Sequence, residues 1–465
     1  MKSKTMFLML AVIVVLSARC VSPSMAADPV NYKTTFVRLG DGVPGVLYEP
    51  VTPGAKSKIG VLAMHQRADM LAFSAGSELA KRGYTVLCAN PSTSKSGFVS
   101  DFDQDKMLSE VALGVTELRK RGKTVVLLGH SGGGGLMSSY QNIAENGVSA
   151  CQGPEQIVKC PDSLKGLPKA DGLMLLDSTI GTGGMTLLSL DPALVSEENA
   201  QVLNPALDMF NPANGFNPGP DPGVDPQYKV LKGSTYSKNF IRDFFEKQKE
   251  MNNRLIEKAL DRLEKIKAGK GRFIDDEPFI VPSGSFAAAN NKLFTQDISL
   301  WQHTRKEHKL LTKDGPTTPQ IVRSVRVPRN VASPTPSLAI GGLTTTVRRF
   351  LSTFAIRATG GYGYDANSLT GIDFKSSYNS TPSAVAGVTV PLLQLGMTGS
   401  HEFFMAETIF EHAKSSDKEL AYVEGARHNF TTCTECEKKA GASYGNTMTT
   451  TYDYVDGWLN KAGRF

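Results

Sequence analysis

The sequence predicts an α/β protein built on a mostly parallel β-sheet with helices packed against both faces. The first observation is a set of short, continuous apolar runs, which are typical of strands covered on both sides. They lie at residues 59–65, 84–90, 123–131 and 172–178. The second is that segments with helical spacing separate them, at residues 70–82, at 104–120 and after 131. Strands that alternate with helices form βαβ units, which join parallel strands.

The remaining elements follow in chain order. Residues 34–39 and 45–50 predict an edge hairpin that turns at Asp41 and Gly42. After residue 178 the alternation stops for about two hundred residues, where five Asx-Pro pairs precede a long amphipathic helix at 238–269 and an irregular stretch. The sheet pattern resumes with a strand at 388–396, a helix at 402–415, a strand at 419–425 and a last helix at 446–461.

This order divides the chain into four parts. Residues 1–26 read as a secretory signal peptide, because Lys2 and Lys4 precede a short apolar run and Ser24-Met25-Ala26 offers a small-residue cleavage site. Residues 27–190 form the first part of the core, 191–387 an insertion, and 388–465 the second part. No apolar run approaches the ~20 residues of a spanning helix, so we predict no transmembrane segment and an exported, periplasmic or secreted protein.

Export permits disulfides, and the spacing of the cysteines offers two. Cys151 with Cys160 would close a short loop, and Cys433 with Cys436 forms a C-x-x-C pair. A zinc site made of Cys433, Cys436 and His428 is the alternative, but it lacks an evident fourth ligand. Cys88 lies in an apolar strand and is expected to be a buried thiol.

The excess of positive charge in the chain lies within the insertion. The formal net charge is +6, but residues 229–349 hold 23 Lys and Arg against 12 Asp and Glu, which leaves −5 for the remainder. Acidic residues are interleaved with the basic ones, which is typical of a solvated face, so we expect no nucleic-acid partner. An anionic substrate or polymer stays open as a partner.

The candidate nucleophile is Ser131, in the sequence Val125 to Tyr140, VVLLGHSGGGGLMSSY. Gly129, Ser131 and Gly133 give the pattern G-x-S-x-G between a buried strand and a helix. At such a turn the serine is held in a strained conformation with its hydroxyl above the sheet, and glycines allow the close backbone approach. The alternative is a glycine-rich turn with an incidental serine.

The candidate base is His428, which follows the last strand of the sheet. Reacting groups in parallel sheets collect at the carboxyl ends of strands, so Ser131 and His428 can meet although they are distant in sequence. A serine hydroxyl needs a base to take its proton, and neutral imidazole is suited to that near pH 7.

With these residues in place, the chain resembles the α/β-hydrolase superfamily. The resemblance covers roughly residues 32–184 and 388–459. It is carried by Gly129-His130-Ser131-Gly132-Gly133, by Ala63-Met64-His65-Gln66, by Val390-Pro391-Leu392-Leu393 and by Gly425-Ala426-Arg427-His428-Asn429-Phe430. It implies that the insertion at 191–387 is a lid or cap over the serine. The aromatic residues of the insertion then form either a pocket wall or its own core.

The resemblance also implies the remaining site residues. An oxyanion hole would use the N–H groups of Gly132 and Gln66, where many relatives have glycine in place of Gln66. His65 and Arg67 are candidate substrate-binding residues, Arg67 through an anionic group. The usual aspartate is missing from the loop after strand 388–396, so Glu402 is slightly favoured as the acid over Asp177, which ends strand 172–178.

The sequence therefore predicts an exported serine hydrolase that cleaves a small-molecule or oligomeric carboxylic ester and needs no metal or organic cofactor. Lactone, amide or C–C bond hydrolysis and acyl transfer use the same apparatus and stay as alternatives. A non-catalytic exported binding protein of the same fold is the alternative from another class.

Overall fold

The computed structural model describes residues 30–40, 42–93, 102–199, 201–220, 232–333 and 341–465. The predicted signal peptide, residues 1–26, lies outside these ranges, as do Asp41 of the predicted hairpin turn and the last two Asx-Pro pairs.

The described chain contains strands and helices in an order that largely follows the predicted one. The strands are β1 (Tyr32–Arg38), β2 (Pro44–Pro50), β3 (Ile59–Met64), β4 (Thr85–Ala89), β5 (Thr124–His130), β6 (Gly172–Leu176), β7 (Pro278–Val281), β8 (His303–Thr312), β9 (Gly315–Pro316), β10 (Gln320–Arg323), β11 (Leu343–Thr346), β12 (Arg357–Tyr364), β13 (Leu369–Asp373), β14 (Leu392–Met397) and β15 (Lys418–Val423). The helices are α1 (Ser74–Lys81), α2 (Gln104–Lys120), α3 (Gly133–Asn146), α4 (Thr182–Ser189), α5 (Lys238–Lys267), α6 (Leu293–Gln296), α7 (Val347–Arg349), α8 (Thr381–Val385), α9 (Met405–His412), α10 (Thr434–Ala440) and α11 (Thr447–Leu459).

One large sheet organises the molecule. Its strand order is β1-β2-β4-β3-β5-β6-β14-β15-β8-β10, with β9 paired to β8. The strands from β4 to β8 along this order are parallel to one another, whereas β1, β2, β9 and β10 pair antiparallel. The predicted mostly parallel sheet is confirmed.

Alternate residues of the central strands enter two different cores, which explains why the strands read as continuous apolar runs. In β5, Val125 and Leu127 pack with residues of α2 and α3 on one face. Val126 and Leu128 pack on the opposite face in the core that holds residues of α1 and α11. Cys88 is a free thiol buried in this second core.

The long amphipathic helix of the insertion is confirmed as α5. Ser237 caps it by accepting a hydrogen bond from the Phe240 N–H at 3.2 Å. Its buried residues form one stripe: Phe240, Phe244, Phe245, Gln248, Met251, Asn252, Leu255, Ile256, Ala259, Leu263 and Ile266. The stripe packs partly on the main core and partly in a separate core with residues of β7 and β11, so α5 ties the insertion to the body.

The expectation that the chain is irregular between α5 and residue 387 was wrong. The strands β7 and β11 pair with each other, β12 pairs with β13, and β8 enters the main sheet parallel to β15. The β8 sequence, HTRKEHKLLT, has too many polar residues to show the pattern of a buried strand. One part of the insertion therefore extends the sheet instead of covering the serine.

Two helices begin later than predicted because side chains hold the preceding residues in turns. Before α1, the Asn90 side chain accepts the Met70 N–H at 2.8 Å. Before α9, the Ser400 hydroxyl accepts the Glu402 N–H at 3.2 Å. Glu402 therefore lies in a turn and not in the first turn of a helix.

The structure pairs the cysteines as the spacing suggested, Cys151 with Cys160 and Cys433 with Cys436. Within the ranges given above, no helix is both long enough and apolar enough to cross a bilayer.

Candidate active site

Ser131 occupies the strained junction that the G-x-S-x-G pattern predicts. It lies between β5 and α3 with a φ of 55°, a region that residues with side chains rarely adopt. The Ser131 carbonyl accepts hydrogen bonds from the N–H groups of Gly134 and Thr179, both at 3.1 Å. These bonds fix the turn, and a strained backbone of this kind is a mark of functional sites.

The glycines around Ser131 leave space for backbone atoms. A Cβ built on Gly129 would lie 2.6 Å from the Gly134 Cα, and one on Gly133 would lie 2.6 Å from the Met64 carbonyl oxygen. Since backbone cannot yield as a flexible side chain can, these two positions need glycine.

We expect Gly129→Ala to lower the free energy of unfolding by about 1–3 kcal/mol, the usual cost of overpacking a core. Gly457→Ala is the matched control, because Gly457 lies in α11 with nothing within 4 Å of an added Cβ. Alanine there is expected to raise the free energy of unfolding by up to about 1 kcal/mol. Urea unfolding of both variants checks the pair, and equal stability of Gly129→Ala and the wild type would contradict the crowding argument.

His428 lies on a tight loop that follows β15. The loop closes through a hydrogen bond from the Arg427 N–H to the Thr431 carbonyl at 2.8 Å and another from the Cys433 N–H to the Gly425 carbonyl at 2.8 Å. The His130 Nε2 lies 2.9 Å from the His428 carbonyl oxygen. A carbonyl can only accept, so His130 carries a proton on Nε2 and anchors the loop. Burial lowers the pKa of His130 well below its ordinary value, which keeps this ring neutral.

The sequence favoured Glu402 over Asp177 as the partner of His428, whereas the distances in the structure favour Asp177 over Glu402. The Asp177 Oδ2 lies 2.7 Å from the His428 Nδ1, while the nearest Glu402 oxygen lies 3.4 Å away and accepts the Ser400 hydroxyl at 2.8 Å. The other Asp177 oxygen accepts the Met397 N–H at 3.1 Å. A single N–H donates well to one acceptor, and the shorter distance is that of a charge-assisted hydrogen bond. The sequence alone could not show how far the Glu402 side chain reaches.

The two carboxylates change the proton affinity of the imidazole. Burial opposes a charge on His428, but Glu402 and Asp177 outweigh this effect and raise the pKa of His428 to about 9. Burial also raises the pKa of Asp177, whose side chain is 0% exposed, although the hydrogen bond from His428 acts to lower it. The imidazole therefore holds its proton more firmly than an ordinary histidine does.

The predicted oxyanion-hole residues lie next to each other. A Cβ on Gly132 would lie 3.0 Å from the Gln66 Oε1 and 3.3 Å from the His65 Nε2. The Gln66 carbonyl accepts the Thr93 hydroxyl at 3.1 Å, which fixes the peptide after β3. The Arg67 N–H is directed elsewhere, since it donates to the His65 Nδ1 at 2.9 Å. The Arg67 N–H is therefore already used within the protein.

Ser131, Gly132 and His428 line one cavity of about 550 Å³, together with His65, Gln66, Arg67 and Glu402. Asp177 lies behind His428 and does not line it. The cavity is also lined by four residues that the sequence did not indicate: Phe102, Lys292, Arg329 and His401. No pattern marked them, because they come from loops and from the irregular part of the insertion. Among the aromatic residues of the described insertion, Phe286 lines the cavity, whereas most of the others pack in the cores.

Among the described residues, two groups of side chains lie close enough together to hold a metal ion, and in each group two members are already bonded to each other. Asp177, Glu402 and His428 form one such group, and Cys433, Glu435 and Cys436 form another. In the first, the His428 Nδ1 is held by Asp177, and in the second the two sulfur atoms form a disulfide. The zinc alternative for Cys433, Cys436 and His428 does not fit these contacts.

The mostly parallel sheet, its strand order, and the strained serine at the turn between β5 and α3 define an α/β-hydrolase fold. Asp177, the carboxylate hydrogen-bonded to the His428 Nδ1, follows β6, and Glu402 follows β14.

Solved structures of several hydrolases align with most of the chain at low similarity. A siderophore hydrolase from Aspergillus fumigatus has 10% identity and a TM-score of 0.40, over 92% of this chain and 98% of its own. A soluble variant of monoglyceride lipase from Saccharomyces cerevisiae has 14% identity and a TM-score of 0.36, over 96% and 99%. A carboxyl esterase from Tuber melanosporum has 10% identity and a TM-score of 0.39, over 96% and 89%. No family model matches the chain, and no curated protein does. Similarities this low do not identify a reaction or a substrate.

Proposed function

We propose that the protein is a serine hydrolase that cleaves carboxylic esters through an acyl-enzyme. The observation that carries the proposal is that strained Ser131 and His428 line the same cavity, while the Asp177 Oδ2 lies 2.7 Å from the His428 Nδ1. A buried acid behind a histidine beside a half-buried serine that lines a cavity is the arrangement that makes a hydroxyl nucleophilic.

In the first step the Ser131 Oγ bonds to the ester carbonyl carbon, and its proton moves to the His428 Nε2. The hydrogen bond to Asp177 keeps the other imidazole proton on Nδ1 and stabilises the positive ring. The N–H groups of Gly132 and Gln66 bind the oxygen that becomes negative. When the C–O bond to the alcohol breaks, His428 returns the proton to the leaving oxygen. A water molecule then attacks the acyl-enzyme carbonyl and gives a proton to His428. The bond to the Ser131 Oγ breaks, His428 returns the proton to this oxygen, and the carboxylic acid leaves.

The cavity fits an ester with an apolar part. Its wall includes Phe102, Met185 and Phe286, and its volume of about 550 Å³ lies in the range of ordinary small-molecule sites. We propose that this apolar wall holds the acyl chain or the alcohol next to Ser131.

Export of the protein remains part of the proposal. Its support within the described chain is the presence of two disulfides, at Cys151–Cys160 and Cys433–Cys436, since disulfides persist in oxidising compartments.

The test of the proposed reaction is covalent labelling with an alkyl fluorophosphonate, in which an activated serine oxygen displaces fluoride from phosphorus. We expect labelling of the folded protein on the peptide that contains Ser131, found by mass spectrometry, with parallel loss of p-nitrophenyl ester hydrolysis. Competition by substrate esters should slow the labelling. Folded protein that neither takes up the probe nor turns over any ester in a chain-length series would contradict the proposal.

A further inference from the structure

The cavity beside Ser131 is lined by more positively charged than negatively charged side chains. Apart from His428, whose pKa is raised to about 9, Arg67, Lys292 and Arg329 carry positive charge, and Asp69 and Glu402 carry negative charge. Whether any of these charges is available to a substrate depends on what each side chain already contacts.

Four of the five charged side chains have partners within the protein. The Lys292 amine, in a residue only 2% exposed, donates to the carbonyls of Phe286 and Ala288 and to the Asn291 side chain. Since an ammonium has three donors, these contacts use all of them. Arg329 donates from Nε to the His401 ring at 2.9 Å. Asp69 accepts from the Asn90 amide at 2.8 Å, and Glu402 lies against Ser400 and His428.

Arg67 differs from the other four. Its backbone N–H is fixed by the His65 ring, but no carboxylate of the described chain forms an ion pair with its guanidinium. The side chain is half-buried at the cavity wall. A guanidinium at such a position retains five N–H donors and a full charge for an incoming group.

His65 does not share this role. Its Nδ1 accepts two backbone N–H groups, from Arg67 and Ala68, both at 2.9 Å. A ring nitrogen that accepts cannot carry a proton, so these contacts hold His65 as the neutral tautomer. The positive charge on this part of the wall therefore comes from Arg67.

We infer that the substrate is an ester that carries a carboxylate on the part of the molecule near the end of β3, and that Arg67 binds this carboxylate. The inference rests on the proposed ester hydrolysis. Arg67 follows Gln66 directly, so its side chain leaves the backbone one residue from the proposed oxyanion donor. The planar guanidinium and a carboxylate form two parallel hydrogen bonds, which fix orientation as well as charge.

The first test compares two substrates that differ in charge, mono-p-nitrophenyl adipate and its methyl ester, each corrected for spontaneous hydrolysis. We expect the wild type to favour the acid in kcat/KM by about tenfold or more, the size of one charge-assisted hydrogen bond. In Arg67→Gln this ratio should fall to about one, and Arg67→Lys should retain part of it. Arg242→Gln, on the exposed face of α5, is the matched control and should keep the wild-type ratio. A wild-type ratio near one, or a ratio that survives in Arg67→Gln, would overturn the inference.

The second test does not depend on turnover, so it separates this inference from the proposed reaction. Binding of monomethyl adipate to Ser131→Ala is measured by calorimetry and compared with Ser131→Ala/Arg67→Gln. We expect the dissociation constant to rise by about tenfold in the double variant. Equal affinity of the two variants, with folding confirmed by circular dichroism, would overturn the inference whether or not the protein hydrolyses esters.

Discussion

Ser131→Ala is expected to lower kcat for p-nitrophenyl esters by about 10⁴- to 10⁶-fold, the effect of removing a nucleophile that acts together with its base. The substitution removes the oxygen that bonds to the carbonyl carbon and leaves His428 without a proton to accept. Turnover is measured at saturating ester by release of p-nitrophenolate.

The control for this substitution is Ser138→Ala in α3, the helix that begins two residues after Ser131. The Ser138 hydroxyl is buried and donates to the Gly135 carbonyl at 3.3 Å, away from the cavity. We expect kcat of this variant to stay within a few-fold of the wild type. Loss of activity in both variants would point to damage of the helix, and retention of activity in Ser131→Ala would exclude Ser131 as the nucleophile.

Asp177→Asn is expected to lower kcat by about 10³- to 10⁴-fold, the effect of losing the correct imidazole tautomer. The asparagine amide can donate to the His428 Nδ1, which would place the remaining ring proton on Nε2. A protonated Nε2 cannot accept the Ser131 proton. Steady-state kinetics and the rate of fluorophosphonate labelling should fall together, because both need the activated hydroxyl.

Glu402→Gln is the matched comparison, and its expected effect lies in the pH profile. His428 must be neutral to act as base, and its pKa is raised to about 9, so kcat/KM of the wild type should fall as the pH drops below about 9. A negative charge favours the protonated ring, so removing the Glu402 charge lowers the pKa of His428. The acidic limb of the profile then moves to lower pH, and kcat/KM at pH 7 rises relative to the wild type at the same pH.

The two acid variants separate the two assignments. If Glu402→Gln loses activity across the whole pH range while Asp177→Asn keeps most of it, Glu402 is the orienting acid and the 2.7 Å contact of Asp177 is incidental. An acidic limb that stays in place in Glu402→Gln would show that Glu402 does not act on the charge of His428.

The central sheet, and the positions of Ser131 and His428 at the ends of its strands, could be predicted from the sequence because their signals are local. Strands buried on both faces, such as β5, must be apolar throughout, and the turn at Ser131 must have glycine where backbone approaches backbone. The position of His428 followed from chain order alone, since it comes directly after the last parallel strand.

The partner of the His428 Nδ1 and the pocket wall could not be predicted in the same way, because they depend on distances between segments far apart in the chain. Asp177 and Glu402 both follow sheet strands, and only the fold shows which carboxylate reaches the His428 Nδ1. Lys292 and Arg329 come from loops of the insertion, and their sequence surroundings resemble those of any solvated basic residue.

The pairing of β8 with β15 limits how the insertion can be exchanged between proteins. A transplanted cap that replaced residues 191–387 as a block would remove this strand and leave one edge of β15 with unpaired N–H and C=O groups. Exposed edges of this kind template aggregation. A chimera should therefore retain residues 303–323, which hold β8 and the strands β9 and β10 that pair with it, as part of the host scaffold, and the part to exchange is the remainder of the insertion, which includes α5.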